Sequence, residues 1–320
     1  MYEILIQNGS TVYSPAIKDG VEFLTERKGV PSKLTFTCLA DDTLQIEEGN
    51  VVSFREDGTE RFYGYIFTIS RDKSEEISVT AYDKLRYFKN KATYVYENKK
   101  ASDVLRMIAS DYTITLGTVE DTYYTIPSMV EDTQELFDIM QNALDEELKN
   151  SGILFVLYDD CGSICLQNFE NMLVQILIDE ETGQNFDYKS TIDSDTYNQI
   201  KLTYDNEDTG KREVYIAKDS STISKWGLLE YCDTLQEGEN GVSKADALLK
   251  LYNAKSKSLK VTGCAGDSRV RAGCCVVVRL DLGDLKLDNV MLVEKCTQKY
   301  KEGYHTMDLT LKGAEINASE

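Results

Sequence analysis

His305 is the one imidazole in this chain, so a Ser-His or Cys-His nucleophile would have to use it. It shares strand parity with Met307, Leu309 and Leu311, which places it on an inward face at a strand mouth, packed or hydrogen-bonded and not poised as a general base. The sequence contains no Gly-x-Ser-x-Gly elbow, His-Glu-x-x-His pair, phosphate-binding loop or Gly-x-Gly-x-x-Gly run. Serine hydrolase, zinc protease, nucleotidase and dinucleotide chemistry therefore have no foothold in the motifs. Glycoside hydrolysis needs only two carboxylates. The adjacent pairs Asp159-Asp160 and Glu146-Glu147 read instead as a turn and a solvated helix face.

Cys161 and Cys165 flank the turn Asp159-Asp160-Cys161-Gly162, but no second pair at similar spacing completes a zinc site. Cys38, Cys296 and the doublet Cys274-Cys275 lie in apolar, strand-like stretches and read as buried thiols. Asp205-x-Glu207-x-Thr209-Gly210 imitates the start of a calcium loop, yet its twelfth position is Ile216, so a hairpin turn is expected. Trp226, the single tryptophan, could stack on a sugar, but it has no aromatic neighbours to form a platform and reads as a core residue. No catalytic, cofactor-binding or metal-binding residue is assigned.

The elements that carry these residues are mostly strands. Ile77, Val79 and Ala81 alternate with Ser78 and Thr80, and Asp57-Gly58 marks a tight hairpin. Ser102 to Tyr112 carries Val104, Leu105 and Ile108 on one helical stripe. A second helix is expected from Asp132 to Lys149, with Asp132 and Glu135 at capping-box spacing and Gly152 beyond its end. Ile153–Tyr158 and Ser163–Gln167 read as a hairpin, as do Asn198–Tyr204 and Arg212–Ala217. Ser243 caps a further helix carrying Leu248, Leu251 and Tyr252.

With 42% hydrophobic residues the 320-residue chain can build cores for two or three domains, and 20 tyrosines against three prolines favour strands. Fifty-five acidic against 35 basic residues give a net charge of −20. Such a surface repels phosphate and argues against nucleic-acid binding by counterion release, while serving solubility. No apolar run reaches membrane-span length. Met1-Tyr2-Glu3-Ile4-Leu5-Ile6 lacks the basic region of a signal peptide, so folding in a cytoplasm with reduced thiols is expected.

One β-pattern occurs twice, near opposite ends of the chain. Leu34-Thr35-Phe36, Gln45 to Gly49, Val51-Val52, Tyr63 to Ile69 and Ile77-Ser78-Val79 make the first copy. Leu259-Lys260-Val261, Val270 to Gly273, Val276-Val277, Val290 to Val293 and Met307-Asp308-Leu309 make the second. The expected fold class is α+β and β-dominated: two quasi-equivalent small β-barrels, residues 1–88 and 196–320, flanking a mixed α/β domain over 89–195.

Phe62-Tyr63-Gly64-Tyr65-Ile66-Phe67 and Ala81-Tyr82-Asp83-Lys84-Leu85-Arg86-Tyr87 resemble the first module of the XkdQ/YqbQ family. Arg271-Ala272-Gly273, Leu282-Gly283-Asp284, Val293-Glu294-Lys295 and His305-Thr306-Met307-Asp308-Leu309 resemble its carboxyl-terminal pattern; Gln298 departs from it, standing where the pattern leads one to expect a basic residue or histidine. The resemblance implies a non-enzymatic baseplate hub protein of contractile phage tails, tailocins and related contractile injection systems. It would be a homotrimeric virion component, assembled in the bacterial cytoplasm and not inserted in a membrane. Six tube-like barrels would match a sixfold tail tube protein above to a threefold central spike below. A LysM-containing tail protein and other baseplate components would be further partners, and DNA or a tape-measure protein would pass through the channel without specific binding. A tail-associated peptidoglycan hydrolase or a carbohydrate-binding tail component is the alternative.

Overall fold

The computed structural model describes residues 2–313 except 74, 207–209, 236–238 and 282–285. Leu282-Gly283-Asp284 and part of the calcium-like loop, Glu207 and Thr209, lie outside the described residues. The chain is β-dominated. Its first segment contains β1 (Tyr2–Asn8), β2 (Thr11–Tyr13), β3 (Ile17–Glu26), β4 (Lys33–Leu39), β5 (Val51–Glu56), β6 (Thr59–Arg71) and β7 (Glu76–Tyr82). After a 3-10 turn at Lys84–Lys89 come β8 (Lys91–Lys99), α1 (Ala101–Asp111), β9 (Leu116–Val119), β10 (Ile126–Glu135), α2 (Leu136–Ser151), β11 (Phe155–Asp160) and β12 (Ser163–Asn168). Then follow β13 (Leu173–Ile178), β14 (Asn185–Thr191), β15 (Gln199–Asn206), β16 (Lys211–Lys218), α3 (Ser220–Trp226), β17 (Glu230–Thr234) and α4 (Gly241–Tyr252). The chain closes with β18 (Ser256–Ala265), β19 (Cys275–Asp281), β20 (Lys286–Lys301) and β21 (Tyr304–Gly313).

Two sets of strands share one order. In the first, the neighbours run β4-β7-β6-β5; in the second, β18-β21-β20-β19. The registers agree residue for residue: Leu34 faces Ala81 and Phe36 faces Val79, as Leu259 faces Leu311 and Val261 faces Leu309. All eight are buried, because alternate residues on a pleated strand point to the same side and that side is the core. Ile66–Ala81 and Val293–Leu311 are each followed by a bulge, so the strands bend at matching places. β3 flanks β4 as β14 flanks β18. The copies diverge at β5 and β19, where β1 pairs antiparallel with the former and β13 parallel with the latter. Each copy wraps one apolar core, Phe36, Phe54 and Phe62 in the first and Val276, Met291 and Leu309 in the second.

Strand pairing crosses the boundary expected at residue 195. β13 and β14 belong with the second copy, while β15, β16, β17 and α4 form a separate small unit set between β14 and β18. The partners of β13 and β14 lie far downstream, so no local pattern reveals the insertion. Between the two copies, α1 and α2 pack with β8–β10 and β9–β12–β11 around Leu105, Ile108, Leu136 and Met140.

Two helix starts differ from the sequence reading. α2 begins at Leu136, since Gln134 and Glu135 are still paired with Ala92 and Lys91, and Asp132 accepts from Thr93 Oγ1 inside the strand. The cap of α4 is Asn240, whose Oδ1 accepts from Ser243 N–H.

Candidate functional site: the seam between the two β-modules

β20 is long enough to serve both copies. Met291 to Lys301 pair with β21, and Lys295 to Tyr300 also pair with Glu26 to Val21 of β3, joining the copies into one 13-stranded sheet. Arg27 grips Glu294 at the bulge through two parallel N–H···O bonds of 2.9 and 2.8 Å, and Lys295 reaches Glu26 at 2.7 Å. Bidentate geometry fixes direction as well as charge, so this pair sets the register of the seam. The Tyr300 side chain, carried on a strand of the second copy, packs in the first core, its ring 5.0 Å from Phe54 and 5.5 Å from Tyr2.

His305 lies beside that tyrosine, stacked on it at 4.1 Å. Its Nδ1 is 3.1 Å from Glu56 Oε1 of β5, and its Nε2 is 2.7 Å from Gln298 Oε1. Gln298 is buried and donates from Nε2 to the carbonyls of Asp267 and Val270, so it fixes the loop leading to Gly273. Burial pushes the imidazole below its ordinary value, and the Glu56 carboxylate opposes that shift. His305 thus ties the closing hairpin to the first module.

The turn Arg271-Ala272-Gly273 forms the other end of the seam. Ala272 N–H donates to Thr25 Oγ1 of β3, and Arg271 Nη1 donates to the carbonyl of Asp159 while its guanidinium stacks 4.2 Å from the Tyr158 ring. Beneath it lie two buried carboxylates from different segments. Asp83 accepts from Ser32 and Leu85 N–H, and Asp159 from Lys84 and Gly162 N–H. Burial, with Asp159 beside it, pushes Asp83 up to about 7, and burial pushes Asp159 up to about 6. Each carboxylate satisfies backbone donors at a chain crossing, a structural use of acidity.

Asp159 is therefore not a turn residue but a buried member of β11. Glu147 likewise leaves the solvated face assigned to it: it is buried and accepts from Tyr123 and Tyr124 N–H. Glu146 pairs with Lys149 at 3.0 Å. Trp226 is half-buried at the end of α3. Cys161 and Cys165 are free thiols that donate to the carbonyls of Glu60 and Ser163. Burial pushes the Cys161 and Cys275 thiols up to about 12 and Cys274 to about 11, which leaves them un-ionised and poor nucleophiles. Among the described residues, no three His, Cys, Asp or Glu side chains gather as a metal site.

The segments that carried the family resemblance converge here: Asp83, Arg271 to Gly273, Val293 to Lys295 and His305 all lie along the seam. A family profile described as YQBQ-like matches residues 21–312. The chain is 29% identical to the phage-like element PBSX protein XkdQ of Bacillus subtilis (strain 168) over 272 residues, 82% of this chain and 81% of that protein. Among solved structures it is similar to the prophage MuSo2 43 kDa tail protein from Shewanella oneidensis, with a TM-score of 0.69 at 13% identity over 97% of this chain and 98% of that one. It is also similar to the E. coli c3393 protein, a type VI secretion component described as structurally similar to the T4 tail proteins gp27 and gp5. There the TM-score is 0.57 at 11% identity, over 99% of this chain and 78% of that one. The chain has the fold of phage tail proteins and belongs to the YqbQ-like family.

Proposed function

We propose that this chain is the baseplate hub of a contractile tail or tail-like particle, a non-enzymatic homotrimer that joins the tail tube to the central spike. The observation that carries the reading is the duplication: two modules with one strand order, one turn and one bulge, held edge to edge by β3 and β20. Three chains with two such modules each present six similar surfaces to a sixfold tube and keep threefold symmetry for a spike below. The fold likeness to tail proteins supports the same reading over nearly the whole length. The two halves of the chain must also hold a fixed mutual orientation for six modules to form a regular ring. The seam provides that rigidity through a shared strand, a bidentate ion pair and Tyr300 inserted across it. The net charge of −20 suits a channel through which DNA or a polypeptide passes without being held.

Cross-linking mass spectrometry on assembled particles tests the partners. The hub reading expects lysines of this chain linked both to the tube protein and to the spike. Links to neither would remove it. Incubation of the purified protein with peptidoglycan should release no product; turnover abolished by one Asp or Glu substitution would favour a tail hydrolase instead.

A further inference from the structure

A cleft of about 320 Å³ opens where both modules, the α/β segment and the inserted unit meet. Its walls carry Arg27, Lys28, Lys149, Lys255, Lys257 and Lys312, against only three acids, Asp145, Asp195 and Glu294. In a chain with 55 acidic and 35 basic residues this inverts the local charge balance. The acids are partly spoken for: Glu294 by Arg27 at 2.8 Å and Asp145 by Lys28 at 3.4 Å. Lys149 is paired outside the cleft with Glu146 at 3.0 Å. Lys255 and Lys312 have no ion-pair partner among the described residues. The cleft is also lined by aliphatic side chains: Leu154 and Leu292 are buried at its floor, while Leu148 and Leu251 are half-buried in its wall.

We infer that this cleft is a docking site for an acidic peptide segment of a partner protein, one with carboxylates flanking an aliphatic side chain. Lysine ammoniums are point charges that accept carboxylates in many orientations, and the half-buried Leu148 and Leu251 take the aliphatic group between them. The lining favours a peptide over a phosphodiester strand, because Leu148 and Leu251 offer apolar contact that a phosphodiester backbone cannot use. Long-range steering works in the same direction: in a chain of net charge −20, a cationic cleft attracts an acidic segment that most of the surface repels. The cleft borders Asp195 and residues 254–257, the two connections that carry the inserted unit, so an occupant would fix that unit against the sheet.

The test is fluorescence anisotropy on the full chain, with a fluorescein-labelled decapeptide of alternating glutamate and leucine as the probe. Saturable binding is expected, weakened at least tenfold by the double variant Lys255→Glu/Lys312→Glu and by raised salt. A glutamine-leucine peptide of equal length should not bind. Lys255 is exposed and Lys312 half-buried, so an unchanged circular dichroism melt is needed to confirm that the variant folds. Equal binding of the glutamine peptide, indifference to the charge reversal, displacement of the probe by a single-stranded oligonucleotide, or loss of probe binding as the chain self-associates at higher concentration would each overturn the assignment.

Discussion

Gly49 and Gly273 occupy the same place in two copies of one turn. Both have positive φ, 88° and 93°. Gly49 N–H donates to the Ile66 carbonyl and Gly273 N–H to the Val293 carbonyl, each at 2.8 Å, and Ile66 and Val293 return a bond to the residue after the glycine. Ile66 and Val293 are also the residues that precede the matching bulges, so turn and bulge recur together in both modules.

The two glycines nevertheless differ in surroundings, which gives a graded prediction. A Cβ at Gly49 meets nothing within 4 Å, whereas at Gly273 it would stand 2.3 Å from Val156 Cγ1 of the α/β segment. Gly49→Ala should cost only the left-handed backbone term, about 1–2 kcal/mol. Gly273→Ala should cost at least twice as much, because Val156 must also move. Urea denaturation of the two variants measures both; equal costs would mean that the Gly273 turn does not dock as described.

The buried carboxylates Asp83 and Asp159 set a pH dependence. Their folded values are raised to about 7 and about 6 from an ordinary 3.8. A raised carboxyl contributes stability that is fully present below the unfolded value and is lost as pH rises through the folded one. Stability should therefore increase on acidification from pH 8 to about pH 5.5. Asp83→Asn should be less stable, since it loses one acceptor for Ser32 or Leu85 N–H, but its stability should change less over the same window. Denaturation curves at both pH values, compared between the wild type and the variant, decide this; an unchanged slope would contradict the assignment.

The Arg27–Glu294 pair should be among the stronger surface-proximal pairs, with side chains only 10% and 25% exposed. A double-mutant cycle with Arg27→Ala and Glu294→Ala should return a coupling of about 1–2 kcal/mol, and Arg27→Lys should lose much of it, because an ammonium cannot make both parallel bonds. Coupling near zero would reduce the pair to an ordinary exposed contact.

Cysteine reactivity should be confined. Cys232 alone is exposed, Cys161 is half-buried and the other six are buried. Brief alkylation of the native protein should modify Cys232 first, and alkylation under denaturing conditions without reductant should then label the remaining seven, with no disulfide found by mass spectrometry. A stoichiometric Cys161–Cys165 or Cys274–Cys275 bridge would refute this.

What the sequence made legible was whatever depends on neighbours. Asp57 and Gly58 both take positive φ at the β5–β6 hairpin, as their residue types require. The parity of Ile77, Val79 and Ala81 against Met307, Leu309 and Leu311 revealed the repeat, because burial on a strand follows a period of two. What it hid depends on distant partners. Asp132 has the look of a helix cap, but its segment is captured by β8. Glu147 and Asp159 look solvated, and only the crossing of separate segments supplies the N–H groups that bury them. The role of His305 as a tie to Glu56, on a strand closing more than two hundred residues earlier, had no local signal at all.

The most direct measurement is a cryo-electron microscopy reconstruction of the assembled particle with this chain located in the density. The hub account predicts three copies around the tail axis, with six modules alternating in a ring that lines the channel and Gly49 and Gly273 at equivalent heights in successive modules. A single copy, or a ring in which the two modules do not line the channel together, would contradict it.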